Sequence, residues 1–273
     1  MAATAFLWSI AGLFIKVIDW NPFAIAGMRS LIASVVILAY LQRPKLHFSF
    51  PQVAASVANA VTMLLFVAAN KTTTAANAII LQYFAPVVTV FIGAKMLKER
   101  PRPEHFLALA VVAGGMVLMF SDKLSGGRLL GNVLATMSAI TFSFYFVFMR
   151  MQKDGSPLES ILLSHWLTAG ICILISFALP LPHVTLKSLG AIAVLGIVQI
   201  GLSAILFAVA IKRVSAIQAN LIAVIEPVFN PVWVFLAIGE APGIHALIGG
   251  GIIVLAVTIT SIISARRKGE KAQ

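Results

Sequence analysis

The sequence predicts an all-α membrane protein of ten transmembrane helices, arranged as two inverted-topology five-helix repeats around a central cavity. Three observations predict this fold class: a very apolar composition, ten long apolar runs, and a match between the two halves of the chain. Hydrophobic residues make up 60% of the chain and charged residues only 11%. A soluble domain carries about 25% charged and about 45–50% apolar residues. The composition of this chain therefore excludes a soluble domain.

The apolar runs follow one another along the chain, and each is long enough to cross a hydrocarbon core of about 30 Å. A chain inside lipid must satisfy its own backbone hydrogen bonds, so each run is predicted to be helical. In order, the predicted spans are 2–17, 22–41, 51–70, 73–94, 103–120, 129–149, 157–179, 187–211, 214–237 and 243–264.

The net charge of +11 is distributed as in a membrane protein. With the N-terminus in the cytoplasm, 14 of the 20 lysines and arginines fall in inner connections and the C-terminal tail. Five fall in outer connections, and Arg29 lies within a span. This positive-inside bias places both termini in the cytoplasm. The charge therefore predicts a lipid bilayer as the partner and requires no nucleic acid.

The second half of the chain matches the first at an offset of 141 residues, which pairs Lys71 with Lys212 and Glu99 with Glu240. Pro86 falls on Pro227 at the same offset. The predicted repeats are residues 1–123 and 124–273. Because each holds an odd number of spans, the second enters the membrane upside down, as in many transporters whose site lies between the repeats.

Polar and aromatic side chains recur at helical spacing on spans 1, 3, 4, 6, 8 and 9, so one face of each span is expected to line the cavity. The predicted substrate-binding residues are Trp8, Ser9, Asn59, Gln82, Tyr83, Tyr145, Gln199, Ser203, Glu226 and Asn230. The alternative is that the hydroxyl and amide groups only bridge helices, an effect of about 0.6 kcal/mol each.

Spans 5 and 10 carry small residues in place of a polar face. Gly114 and Gly115 lie in one, and the glycines 249–251 lie in the other. Small residues allow helix backbones to approach closely. These two spans are therefore predicted to be packing elements at the periphery.

Glu226 lies close to the middle of span 9, where an acid costs about 2.5–3.5 kcal/mol. A position facing lipid is therefore excluded. Three roles stay open: contact with a substrate ammonium group or another cation, proton exchange during transport, and a structural hydrogen bond to a neighbouring helix.

Two prolines interrupt spans 4 and 9. Pro86 and Pro227 cannot donate to the carbonyls of Gln82 and Ala223, so both helices are expected to bend at mid-depth. Free carbonyls of this kind are expected where backbone lines a cavity or flexes, although a purely structural kink is the alternative.

Two further polar residues lie within spans. Arg29 has three possible roles: reaching the outer surface, pairing with an acid, or holding a substrate carboxylate. His165 is either a pH-sensing group or a packed polar residue.

The segments MRSLIA, YFAPVVTVFIGAKMLKE and IEPVFNPVWVFLAIGE, with the spacing Pro-x(12)-Glu in both halves, resemble the EamA-type transporters of the drug/metabolite transporter superfamily. Within that family the chain is similar to YddG-type bacterial exporters of aromatic and other neutral amino acids. The resemblance implies a bacterial inner-membrane protein that exports small metabolites by alternating access through a midplane cavity. It also implies hinge roles for Pro86 and Pro227.

The cavity lacks the clusters of arginine and lysine that phosphorylated cargo requires. It offers aromatic residues, which suit apolar or aromatic cargo. These are Trp8, Tyr83, Tyr145, Trp166 and Trp233. We therefore expect a monomeric exporter of amino acid-like solutes with no cofactor and no metal.

Two rival functions stay open at this point. A multidrug exporter of lipophilic cations would also use an acid among aromatic residues. An intramembrane serine hydrolase would use Ser203 and His245, but the chain has no H-E-x-x-H or comparable catalytic motif, so an enzyme is not expected.

Overall fold

The described part of the chain is entirely helical apart from its connections. The computed structural model describes residues 1–73, 75–121, 128–180, 183–239 and 243–269, and these contain no β-strand. The elements are α1 (Ala2–Ser9), α2 (Ala11–Val17), α3 (Pro22–Leu41), α4 (Phe50–Thr72), α5 (Ala75–Gln82), α6 (Ala85–Met96), α7 (Pro103–Met119), α8 (Leu129–Met151), α9 (Pro157–Ser176), α10 (Leu186–Val194), a π-helical segment (Leu195–Leu202), α11 (Ser203–Ile211), α12 (Ala216–Ala223), α13 (Ile225–Ile238) and α14 (Ile244–Gly269).

All ten predicted apolar runs correspond to helices. Within the described ranges, seven helices are long and apolar enough to cross a membrane. The shorter apolar helices are Ala2–Ile15, Pro103–Met119 and Ala216–Phe229. The prediction of an all-helical membrane protein is therefore confirmed.

Several of these helices begin at residues that favour the N-terminus of a helix. Pro22, Pro51, Pro103 and Pro157 lie in the first turns of α3, α4, α7 and α9, where a missing N–H costs no helical hydrogen bond. Asn21 caps α3, because its side-chain oxygen accepts a 2.8 Å hydrogen bond from the Ala24 backbone N–H. The spans thus begin where the sequence predicts.

The predicted interruptions at Pro86 and Pro227 are confirmed. Helix α5 ends at Gln82 and α6 begins at Ala85, while α12 ends at Ala223 and α13 begins at Ile225. Both prolines are buried. The bends therefore face protein and not lipid.

The most extensive helix contacts join the two halves of the chain. Helix α4 packs against α8 and α9, and α3 packs against α9 and the π-helical segment. Helix α1 packs against α11 and α13, α6 against α12, and α7 against α14. The core of the molecule is consequently an interface between helices α1–α7 and the elements from α8 to α14.

Glycines bring α7 and α14 into backbone contact, as predicted for spans 5 and 10. A Cβ atom at Gly249 would lie 2.5 Å from the Gly115 carbonyl oxygen and 2.6 Å from the Met119 nitrogen. A Cβ atom at Gly115 would lie 3.1 Å from the Gly249 carbonyl oxygen. Any side chain at either position would force the two helices apart.

The π-helical segment packs closely against α3. A Cβ atom at Gly196 would lie 2.5 Å from the Ile32 Cβ, and one at Gly201 would lie 2.9 Å from the Val36 Cβ. Short π-helical insertions occur often at functional sites. This one carries Gln199, a predicted binding residue.

Candidate functional site

Hydrogen bonds between polar and aromatic side chains connect the two halves along the inside of the molecule. We call this set the polar seam. Helix α1 and the α5–α6 turn supply residues from the first half, and the π-helical segment, α11 and α13 supply residues from the second. The members of the seam are Trp8, Ser9, Tyr83, Gln199, Ser203, Glu226 and Trp233.

Glu226 is held by a tyrosine from the opposite half. The Tyr83 hydroxyl donates a 2.7 Å hydrogen bond to Glu226 Oε2. Tyr83 lies in the turn that precedes Pro86, and Glu226 directly precedes Pro227. The two bent segments therefore meet at the acid, which places the carboxylate inside the protein as its insertion cost requires.

Trp8 and Ser203 form a second connection between the halves. The Trp8 indole N–H donates to Ser203 Oγ at 2.9 Å, and Ser203 donates to the Gln199 carbonyl at 2.5 Å. The Trp8 ring lies 5.7 Å from the Phe207 ring. Tyr145 also stacks on Phe207, with the ring centres 5.6 Å apart and an interplanar angle of 15°. Tyr145 is thus a buried aromatic packing residue beside the seam.

A third connection joins α1 to α13. The Trp233 indole N–H donates to Ser9 Oγ at 2.8 Å, and Ser9 donates to the Phe6 carbonyl. The Phe6 ring packs edge-on against Phe229 at 5.4 Å and against Trp233 at 5.1 Å. Phe6 and Phe229 were not among the predicted residues, because apolar residues in an apolar helix give no signal of their own.

Two predicted binding residues bridge helices outside the seam. The Asn59 amide donates to Ser164 Oγ at 2.7 Å, joining α4 to α9. The Gln82 amide donates to Ser138 Oγ at 3.0 Å, joining α5 to α8. Both contacts are the helix-bridging bonds that were the alternative to substrate binding.

The side-chain oxygen of Gln199, a member of the polar seam, accepts no hydrogen bond from the described residues. Its side chain is 7% exposed, and its Oε1 atom has no hydrogen-bond partner within the described ranges. A buried amide oxygen without a partner costs about 1–3 kcal/mol, so it is a candidate ligand-binding group. Of Asn230 the structure describes only the backbone, in α13, and Glu240 lies outside the described residues.

Trp166 does not join the predicted aromatic set. It is 38% exposed, whereas its neighbour His165 is buried in α9. Successive residues of a helix point about 100° apart, so a buried His165 turns Trp166 outward. The prediction that Trp166 faces cargo is not supported by this placement.

A charged connection that was not predicted lies at the end of the bundle. Glu99 Oε1 accepts a 3.0 Å hydrogen bond from the Ala216 backbone N–H, at the start of α12, and lies 3.8 Å from Arg150 Nε. Arg150 in turn donates to the carbonyls of Ile211 and Lys212. The repeated Pro-x(12)-Glu spacing was the available signal, since Glu99 ends its first copy.

The seam combines one carboxyl group, indole and phenol donors, hydroxyls, an amide and aromatic faces. Groups of these kinds are chemically able to hold a small solute by hydrogen bonds, charge and ring contacts. Within the described ranges there is no cluster of three histidine, cysteine, aspartate or glutamate residues that would hold a metal ion.

A bundle of apolar helices with a polar interior is an architecture that multi-pass membrane transporters use. The model of the EamA-like transporter family matches residues 1–121 and again residues 129–262. The chain belongs to this family, which confirms the resemblance at the family level. Its activity is transport and not enzymatic catalysis.

Known relatives agree with this assignment. The chain is 26% identical over 259 residues to an uncharacterized transporter of Archaeoglobus fulgidus, covering 94% of this chain and 93% of that one. It is 24% identical over 280 residues to the uncharacterized transporter YwfM of Bacillus subtilis, covering 98% and 94%. One solved crystal structure, 22% identical, matches the fold with a TM-score of 0.84 over 97% of this chain and 96% of that one.

Proposed function

We propose that the protein exports small neutral metabolites, above all aromatic and other neutral amino acids, by alternating access through the polar seam. The single observation that carries the proposal is the set of hydrogen bonds that joins the halves inside the bundle. Tyr83–Glu226, Trp8–Ser203 and Ser9–Trp233 each connect one half to the other. Polar groups at this depth are expensive and are expected to serve a substrate pathway.

The proposed architecture is ten transmembrane helices in two inverted repeats, residues 1–123 and 124–273. The double family match supports it. The helix contacts support it too. Helix α4 corresponds to α11 and helix α8 to α1, so the contact between α4 and α8 should recur as a contact between α11 and α1, and both contacts are present. Under the same exchange α3–α9 and α7–α14 each correspond to themselves. This pattern is expected of two repeats related by a two-fold axis, which lies in the membrane plane when the repeats are inverted.

The seam's side chains form the proposed substrate site, and the bends at Pro86 and Pro227 are the proposed hinges. The bonds Tyr83–Glu226, Trp8–Ser203 and Ser9–Trp233 link elements of opposite halves. A rocking motion of one half against the other would break these three bonds and open space between the halves. A substrate that replaces the broken bonds offsets their loss. Asn59 and Gln82 join the proposed site only in such an opened state, because both are bonded to neighbouring helices here.

The proposed setting is the inner membrane of a bacterium, with both termini in the cytoplasm and one chain as the working unit. The excess of lysine and arginine in the inner connections supports this orientation.

A panel of solutes in proteoliposomes tests the proposed function. We expect saturable uptake of neutral amino acids and none of a phosphorylated sugar. Parallel measurements with and without a proton gradient decide between coupled and passive transport. Flux of the phosphorylated solute without flux of amino acids would overturn the proposal.

Export of lipophilic cations is the second candidate, because Glu226 lies on the same helix as the Phe229 and Trp233 rings. The substitution Glu226→Gln separates the two functions. Loss of resistance to lipophilic cations with unchanged amino acid flux would favour this second candidate.

A further inference from the structure

A cavity of about 140 Å³ lies at one end of the bundle, and none of the described residues that line it belongs to the polar seam. Its walls come from the connection between α6 and α7, the first turns of α7 and α12, and the last part of α14. In the proposed orientation this end lies at the cytoplasmic surface of the membrane. One water needs about 10–15 Å³, so the cavity has room for an anion of the size of phosphate.

An apolar cluster holds the first turns of α7 and α12 beside each other. Ala108 and Leu109 of α7 pack with Ile217 and Leu221 of α12 and with Val90 of α6. Ile217 also lines the cavity. The N-terminus of a helix carries partial positive charge and backbone N–H groups without helical partners, both of which favour an anion. The cavity is therefore bordered by two helix N-termini that packing fixes in place.

The charged side chains around the cavity leave one arginine for a ligand. Glu99 lines the cavity and lies 3.8 Å from the Nε atom of Arg150. Arg102, also in the lining, lies 3.6 Å from the carboxylate of Glu104. Arg100 lines the cavity too, is exposed, and forms no salt bridge with any described residue. Both acids thus lie beside an arginine, and the guanidinium of Arg100 stays open to an anion.

Two buried polar side chains in the lining have an atom without a partner. His105 is 5% exposed and Ser264 is 2% exposed, and within the described ranges neither His105 Nε2 nor Ser264 Oγ has a hydrogen-bond partner. His105 Nδ1 accepts a 3.2 Å hydrogen bond from the Arg102 backbone N–H, so the proton of the neutral ring is on Nε2, which makes Nε2 a donor. Buried polar groups nearly always have partners, so two such groups at one cavity indicate a ligand with acceptor oxygens.

We propose that this cavity binds a phosphate group, carried by an anionic phospholipid or present as the free ion. His105 Nε2 and the Ser264 hydroxyl donate to phosphate oxygens, Arg100 supplies a charge-assisted hydrogen bond, and the starts of α7 and α12 add their partial positive charge. Basic pockets between helices on the cytoplasmic side of membrane proteins suit anionic headgroups in the same way. The site is separate from the proposed substrate pathway and does not depend on it.

Thermal unfolding of the full chain tests the site, because a ligand that binds only the folded protein raises the unfolding midpoint. One arm titrates phosphatidylglycerol into phosphatidylcholine bicelles that hold the protein. The other arm titrates inorganic phosphate, with chloride at equal ionic strength as its reference. We expect a saturable rise in at least one arm. A rise with phosphatidylglycerol alone identifies a lipid headgroup as the occupant, and a rise with inorganic phosphate identifies the free ion. No saturable rise in either arm would overturn the proposal.

Two variants and two matched controls locate the binding. Arg100→Gln is expected to weaken the apparent affinity about fivefold, the effect of one basic side chain near a membrane surface. Ser264→Ala is expected to weaken it by a similar factor, yet to leave the ligand-free midpoint unchanged or higher, because the hydroxyl it removes is buried without a partner. The controls are Arg43→Gln, at an exposed arginine beyond the end of α3, and Ser261→Ala, one turn earlier on α14 and outside the lining. Both controls are expected to bind as the wild type does.

Equal weakening by Arg100→Gln and Arg43→Gln would show diffuse attraction to a basic surface and would overturn the site. Both arginines are exposed, so this comparison decides the matter even if Ser264→Ala does not fold. Wild-type affinity in Arg100→Gln would also overturn the site. Because no transport is measured, failure of this proposal and failure of the proposed function are separate results.

Discussion

Tyr83, in the turn between α5 and α6, donates a 2.7 Å hydrogen bond to Glu226 at the start of α13. The donor belongs to the first half of the chain and the acceptor to the second, and each lies beside the proline that bends its span. A single bond therefore connects the two bends and the one carboxyl group of the polar seam. A motion of one half against the other would act on this bond.

Tyr83→Phe removes the hydroxyl donor and keeps the ring. Because a hydrogen bond to a charged group contributes about 1.5–3 kcal/mol, we expect amino acid flux to fall by roughly tenfold or more. Flux is measured in proteoliposomes, with Tyr40→Phe, at an exposed tyrosine near the end of α3, as the matched control. Wild-type flux in Tyr83→Phe would show that the bond plays no part in transport.

The contact between Trp8 and Ser203 is suited to a double-mutant cycle. Trp8→Phe, Ser203→Ala and the double variant are compared for stability in detergent, so that the separate bond from Ser203 to Gln199 cancels. Interhelical hydrogen bonds in membranes average about 0.6 kcal/mol and reach about 1.7. We expect a coupling energy in this range. A coupling energy of zero would contradict the observed 2.9 Å bond.

Alanine substitutions at Gly249 and Gly251, two residues apart on α14, test the contact between α7 and α14. Gly249→Ala places a Cβ atom 2.5 Å from a backbone oxygen of α7, whereas Gly251→Ala meets nothing within 4 Å. Overpacking of this kind costs about 1–3 kcal/mol, so Gly249→Ala is expected to lower the thermal unfolding midpoint. Gly251→Ala is expected to leave it unchanged or raise it slightly. Equal midpoints for the two variants would refute the close approach.

The inverted arrangement of the two halves is tested by cysteine labelling. Cys172 is the single native cysteine, so Cys172→Ser provides a background without thiols. Exposed Asp19 precedes α3, and exposed Gly155 precedes the matching helix α9. We expect Asp19→Cys to react with an impermeant maleimide only from outside the cell, and Gly155→Cys only from the cytoplasm. Labelling of both from one side would rule out inverted repeats.

The sequence predicted the features that composition and proline chemistry decide. Runs of apolar residues located all ten helical segments, and Pro86 and Pro227 located two interruptions to within a few residues. Clusters of glycine predicted close helix packing at spans 5 and 10, but not that these two spans pack on each other. These features depend on local chemistry, so they can be read without knowledge of the tertiary structure.

Other features depend on packing between distant segments and were not predictable. The π-helical segment has no proline and no distinctive periodicity, and it lies where Gly196 and Gly201 meet side chains of α3. Asn59 and Ser203 have similar helical settings in the sequence, yet Asn59 bridges to α9 while Ser203 bonds Trp8 across the halves. The choice of partner for a hydroxyl or amide is decided by the neighbouring helix, which no local pattern specifies.

Counterflow of labelled phenylalanine into proteoliposomes tests the central claim most directly, with wild type, Glu226→Gln and the control Asp154→Asn measured side by side. We expect saturable counterflow for wild type and Asp154→Asn and a loss of at least about tenfold for Glu226→Gln, because the carboxylate of the proposed substrate site is gone. Counterflow of equal size in Glu226→Gln, or none in the wild type, would contradict a substrate site at the polar seam.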